Sequence, residues 1–233
     1  MKTLSTGIDA IDQRLQGGLT AGNLVAVVSP PDAPSSRLLY QLMRQRPTTY
    51  LSTLRPRSAV ADELTQVGGG SMDVTIEEIG GVKQKNNMLH AFTDSSIYSA
   101  STTDRERILD EVNDIVYSID DSRNVVVDPM NVLESSESRS AYQRLLRSVG
   151  ARLREVDGLG LFHCLDFGEP PKLRETTMTI ADTVWNIDLV TDNDDNLAME
   201  VTIPKNRRGP IIFEKMTVRV DKAKVYTDRS RAI

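Results

Sequence analysis

The chain has 233 residues, of which 39% are apolar and 26% charged, and it carries a formal net charge of -5. That is material for one large hydrophobic core or two small ones, and it excludes disordered, collagen-like and fibrous classes. An acidic balance also argues against a surface that attracts nucleic acid everywhere, and no apolar run approaches membrane-spanning length.

In chain order, apolar runs of strand length alternate with stretches of helical period, the pattern of βαβ units around a mostly parallel sheet. Leu24 to Val28 is predicted as the first buried strand. Ser35 to Arg46 follows as a helix with Leu38, Leu39, Leu42 and Met43 on one face. Thr48 to Thr53 is a second strand, Ala59 to Val67 a second helix, and Val74 to Ile79 a third strand after the Gly68-Gly69-Gly70 break. Arg105 to Tyr117 is helical, with Ile108, Val112, Ile115 and Val116 on its apolar stripe.

Asn124 to Asp128 has the composition of a central strand, three valines ending in a carboxylate where a parallel strand meets its loop. Ser138 to Val156 is a long helix and Leu159 to Leu165 another buried strand. From Val184 onward the grammar changes: Val184 to Val190, Leu197 to Ile203 and Ile211 to Val220 are strands with short polar turns, an antiparallel extension. With no internal repeat and no linker, residues 1–233 are expected to form one domain. Met1-Lys2-Thr3-Leu4-Ser5 lacks the layout of a secretory signal, so the expected compartment is the cytoplasm. A bias of 21 Asp over 12 Glu and 20 Arg over 8 Lys fits a salt-rich cytoplasm, with a mesophile of mild bias as the alternative.

Ser5-Thr6-Gly7-Ile8-Asp9, Ile11-Asp12, Leu15, Gly17-Gly18-Leu19 and Gly22, running into the strand at Leu24, resemble the opening of the RecA-like ATPases of the KaiC and RadA group. Ala181-Asp182-Thr183-Val184 resembles that family's Ala-Asp-Gly-Val, and Val201 to Gly209 its Val-x-Lys-x-Arg-Gly segment. Asn124 to Asp128 falls where the family keeps its Walker B strand. The resemblance spans nearly the whole chain and implies a RecA-like P-loop NTPase α/β fold, a mostly parallel sheet flanked by helices with antiparallel C-terminal strands. The composition adds the expectation of a haloarchaeal member.

The phosphate loop departs from that pattern. A working loop, Gly-x-x-x-x-Gly-Lys-Ser/Thr, curls backbone N–H groups around phosphate, while its lysine reaches the outer phosphates and its hydroxyl binds magnesium. Here the stretch is Ser29-Pro30-Pro31-Asp32-Ala33-Pro34-Ser35-Ser36. Pro34 at a glycine position removes a donor and left-handed freedom, Ser35 takes the lysine's place, and Asp32 adds negative charge. Only Ser36 remains as a magnesium ligand, and Arg37 lends some positive charge. After the second strand, Arg55 and Arg57 stand where the family's catalytic Glu polarises water. Loss of lysine, glycines and base together predicts a pseudo-ATPase with no catalytic residues and no cofactor, because phosphoryl transfer is nearly all positioning and charge compensation.

Vestigial nucleotide contacts, if any, would come from Ser35, Ser36, Arg37 and Asp128, with Ser36 and Asp128 holding magnesium if ATP and Mg are bound. Asp128 is equally a strand-end carboxylate kept by hydrogen bonds to neighbouring loops. Lys205, Arg207 and Arg208 resemble the family's Lys-x-Arg pair, which reaches a neighbouring subunit's phosphate; salt bridges on a hairpin, or docking of an acidic partner or nucleic acid, are the other readings. Arg139, Arg144, Arg147, Arg152 and Arg154 are spaced too unevenly for one stripe and are expected on a solvated helix face. Arg229 and Arg231 make a weaker basic spot. Thr191 to Asn196 has calcium-like composition without the Gly and closing Glu of an EF-hand, hence a hairpin tip. One cysteine and two histidines speak against a transition-metal enzyme, and His163 and Cys164 are expected as core residues. Gly80 to Asn87 is expected as a flexible polar loop.

Three functions follow from the resemblance. The chain is a catalytically inactive regulatory or protein-interaction module, or a divergent nucleotide sensor without efficient hydrolysis, or a RadA-paralogue-like accessory protein that binds recombinase or single-stranded DNA. The expected partner is a protein or a second copy of the chain, with no membrane, and the scarcity of aromatic residues counts against DNA.

Overall fold

In a computed structural model that describes residues 2–68, 72–80, 102–191, 197–220 and 225–227, the entry segment is a short pairing of β1 (Thr3–Leu4) with β2 (Leu19–Thr20) around helix α1 (Asp9–Arg14). This is the Thr-Gly-Ile and Gly-Gly series, and its geometry explains the residue types. Asp12 accepts from the Ser5 hydroxyl (2.6 Å), the Thr6 hydroxyl (2.7 Å) and the Thr6 amide (2.8 Å), closing the turn on itself. At Gly18, where φ is +111°, an added Cβ would stand 2.2 Å from the Leu4 carbonyl oxygen, so the hairpin demands glycine.

β3 (Leu24–Ser29) then enters the sheet, followed by α2 (Ser35–Met43), β4 (Thr48–Ser52), α3 (Arg57–Gly68), β5 (Val74–Glu78), α4 (Thr102–Tyr117), β6 (Asn124–Asp128), the single turn α5 (Asn131–Glu134), α6 (Arg139–Glu155), β7 (Gly160–Leu165) and α7 (Arg174–Ile180). β8 (Thr183–Thr191), β9 (Leu197–Asn206), β10 (Ile212–Val220) and β11 (Val225–Thr227) complete it. The nine-stranded sheet runs β11-β10-β9-β8-β3-β7-β6-β4-β5, parallel from β8 to β5 and antiparallel from β8 to β11. This is the expected α/β architecture, with strand and helix ends shifted by a few residues. The elements without a strong apolar period, α1, α5, α7 and the short strands, are the ones periodicity misses.

Strand alternation divides the core. Val25, Val27, Tyr50 and Val126 face α2 and α3, while Leu24, Ala26, Leu51, Val125, Val127 and Phe162 face α4 and α6. The three valines of β6 are all buried, which is why that strand reads as continuously apolar. α6 begins at Ser138, whose hydroxyl accepts from the Ala141 amide at 3.2 Å. In the antiparallel extension, Met199, Val201 and Ile203 of β9 are buried, whereas Glu200, Thr202 and Pro204 on the alternate positions are partly exposed.

Residues 192–196 of the Thr191–Asn196 stretch lie outside the described residues, with Thr191 paired to Leu197 on either side of them. Beyond Gly80, the Gly80–Asn87 stretch lies outside as well, as do His90, Arg229 and Arg231. Among the described residues no helix is long and apolar enough to cross a membrane.

Candidate functional site at the strand ends

The C-terminal edge of a parallel sheet is where α/β folds place ligands, and four strand-end loops are stitched together there. The Asp166 amide donates to the Ser29 carbonyl (2.9 Å), the Asn131 side chain pairs with both backbone groups of Leu165 (2.8 and 2.9 Å), and the Thr53 amide donates to the Asp128 carbonyl (3.1 Å).

Beneath these loops a polar ladder crosses four adjacent strands. By strand parity Ser29 on β3, His163 on β7, Asp128 on β6 and Tyr50 on β4 all face the α2 and α3 side. His163 Nδ1 lies 2.7 Å from Asp128 Oδ1, and its Nε2 lies 2.9 Å from Ser35 Oγ and 3.0 Å from Ser29 Oγ. Tyr50 donates its hydroxyl to Asp128 Oδ2, and Arg55 donates to the same oxygen at 3.0 Å. Arg55 also donates to the Tyr50 hydroxyl (2.8 Å) and pairs with Glu63, whose other oxygen accepts from Ser36 at 3.4 Å.

Burial pushes the Tyr40 phenol up to about 12 and drives Tyr50 higher still, with the Asp128 carboxylate adding to the effect, so both remain protonated donors. For Asp128, burial alone would raise the carboxyl. The His163 hydrogen bond and charge, the Tyr50 hydroxyl and the Arg55 guanidinium outweigh it and hold the group below its ordinary 3.8. Arg55 loses from burial and gains more from Tyr50, Tyr40 and Glu63, ending above the usual guanidinium range.

Of the sequence-predicted residues, Ser35 and Asp128 are brought together through His163. Ser36 joins them at the rim through Glu63 and Arg55, and Arg37 sits half-buried in the first turn of α2. Lys205, Arg207 and Arg208 lie at the opposite end of the sheet. The Arg207 amide donates to the Asp182 carbonyl (2.9 Å), and the Asp182 amide donates to Leu24 (2.8 Å) at the start of β3. There Lys205 and Arg207 donate side-chain hydrogen bonds to the Thr179 carbonyl at the end of α7. Burial, then the Arg207 charge, lowers the Lys205 ammonium.

Sequence reasoning assigned His163 to the core, where it is buried but joins the ladder, and passed over Tyr50, Glu63 and Tyr40. The available signal was a polar or phenolic side chain at the inward parity of each of four neighbouring strands, visible only once strand order is known. Ser35, His163 and Asp128 form the hydrogen-bond pattern of an activated serine. Yet Ser35 is only 1% exposed, and Ser29 shares the same imidazole nitrogen, so the hydroxyl is not presented to a substrate. Both oxygens of Asp128 are held by imidazole, phenol and guanidinium donors, a set that suits a carboxylate and not a cation. Among the described residues no three His, Cys, Asp or Glu side chains gather as a metal site.

A family model described as a family of unknown function, DUF7125, matches residues 3–233. A solved KaiC-like protein of the hyperthermophilic archaeon Pyrococcus horikoshii superposes with a TM-score of 0.67 at 15% identity, over 97% of this chain and 99% of that one. No functionally curated protein matches. The superposition places the chain in the RecA-like fold.

Proposed function

We propose that this chain, which belongs to the DUF7125 family, is a RecA/KaiC-like protein that no longer hydrolyses nucleotide and works as a regulatory or protein-interaction module. The observation that carries the reading is the closed ladder at the strand ends. Ser35, in the position of the phosphate-loop lysine, and Asp128, in the position of the magnesium carboxylate, are spent on each other through His163. Opening that ladder to admit a magnesium–triphosphate would strip a buried carboxylate of three donors, a loss of several kcal/mol to be recovered from a loop that lacks lysine and carries Pro34 and Asp32. The fold then serves as a rigid frame, its strand-end loops tied laterally, on which a partner can be received.

The test is thermal melting in about molar KCl with and without Mg-ATP, together with phosphate release. The melt is expected to be unmoved and turnover to be nil. A ligand at about 100 times its Kd would stabilise the fold by about 2.7 kcal/mol. A magnesium-dependent shift of that order that vanishes in Asp128→Asn would overturn the reading and make the chain a nucleotide sensor.

A further inference from the structure

We propose that α6 and the β9–β10 hairpin form one electropositive surface that receives an acidic segment of a protein partner. The inference deepens the interaction-module reading and rests on it for the nature of the partner. The uneven arginine spacing resolves once burial is known. Tyr142, Leu145, Leu146, Val149 and Leu153 point into the core, which leaves Arg144, Arg147 and Arg154 within one outward sector of the helix. From Arg144 to Arg154 that sector runs about 15 Å.

Its C-terminal end meets the hairpin. Arg154 donates to Asp182 Oδ2 at 3.2 Å with its side chain 43% exposed, and the Asp182 carbonyl accepts from the Arg207 amide at 2.9 Å, so the turn that carries Arg207 and Arg208 meets the C-terminal end of the sector. Arg144, Arg147 and Arg208 are exposed, and their guanidinium groups form no hydrogen bond or ion pair among the described residues. Among the described residues, the two carboxylates met along this path, Asp182 and Glu155, do not neutralise the strip. Asp182 is buried and already shared between Arg154 and the Leu24 amide, and Glu155 pairs with Arg152 on the side turned to α4.

Unneutralised arginines gathered on one face of a chain of net charge -5 call for a complementary carboxylate-rich surface. Guanidinium groups suit this role because they grip carboxylates in bidentate geometry. Nucleic acid fits less well along the helix, because α6 exposes no aromatic side chain for a base to stack on, its Tyr142 being buried.

The test is fluorescence anisotropy of labelled polyglutamate from about 50 to about 500 mM KCl. The variants are the strip reversal Arg144→Glu/Arg147→Glu/Arg208→Glu and a control of equal charge, Arg14→Glu/Arg44→Glu/Arg57→Glu, on α1, the C-terminal end of α2 and α3 at the other face of the sheet. Wild type is expected to bind in a salt-dependent manner, the strip variant to lose about tenfold or more, and the control less than about threefold. Absence of wild-type binding at the lowest salt, or equal losses in both variants, would overturn the surface. Tighter binding of a single-stranded oligonucleotide through the same three arginines would overturn the acidic protein as occupant. None of these outcomes depends on Mg-ATP, so failure here leaves the melting test of the module reading intact.

Discussion

Two buried carboxylates six residues apart, Asp128 and Glu134, solve the same electrostatic problem in different ways. Glu134 is fully buried and is met by the buried Arg174 through Nε at 2.7 and 2.9 Å, with the Thr177 hydroxyl at 2.6 Å. Arg174 also donates to the Leu165 carbonyl (3.1 Å), and Tyr142 shares a hydrogen bond with Thr177, so α5, α6, α7 and β7 are clasped around a sealed ion pair. Asp128 is equally buried, yet its cation, Arg55, is one-third exposed and leads through Glu63 and Ser36 to the rim. Depth alone therefore does not distinguish the two. What separates them is where the hydrogen-bonded chain ends: the Glu134 clasp closes in the core, and the Asp128 ladder runs out to solvent at the strand ends.

The sharpest way to break that contrast is to remove each cation in turn. Arg174→Met leaves Glu134 charged and unpaired in the core and is expected to cost about 3–5 kcal/mol in urea unfolding. Replacing both partners, Glu134→Leu with Arg174→Met, should recover most of the loss, because a packed apolar pair replaces a desolvated ionic one. Arg55→Met should cost only about 1–2 kcal/mol, since His163 and Tyr50 still hold Asp128 and water screens the rim. Equal costs at the two arginines would erase the distinction.

A pH series sharpens it further. The Asp128 carboxyl is held below its ordinary 3.8, so its contribution is fully present above that value and is lost as pH falls through the folded-state value. The stability difference between wild type and Asp128→Asn is accordingly expected to shrink as pH falls below about 4. A gap that persists unchanged into stronger acid would mean that the ladder is held by shape and not by the charge.

Much of the fold was legible because its strands are apolar at every position or alternate, and because glycines and prolines punctuate them. Val125 to Val127 announce a strand buried on both faces, and Leu38, Leu39, Leu42 and Met43 announce one face of α2. The position of Asp128 at a strand end was legible too. The ladder itself was not. His163 and Tyr50 stand inside apolar strands where burial in a core is the ordinary explanation, and their meeting depends on β7 and β6 inserting between β3 and β4, a matter of topology and not of local pattern. The Arg144–Arg147–Arg154 sector was hidden for a related reason: the helical phase had to be set by which residues are buried before the arginines could be assigned a side.

The smallest expected effect is also the most discriminating between the two hydroxyls at the start of α2. Ser36 is half-buried and reaches Glu63 only at 3.4 Å, so Ser36→Ala is expected to change stability by less than about 0.5 kcal/mol. Ser35 is buried against His163 and Ser29, at 2.9 and 2.8 Å, and Ser35→Ala should cost about 1–2 kcal/mol because Nε2 and the Ser29 hydroxyl lose a shared partner. The order matters for function. In a phosphate-binding loop the second hydroxyl is the one that holds the metal, and its removal would be felt most when ligand is present. If Ser36→Ala is silent in the melt both with and without Mg-ATP while Ser35→Ala is costly in both, the loop acts as structure; if the ranking inverts on adding Mg-ATP, the loop still answers to a ligand.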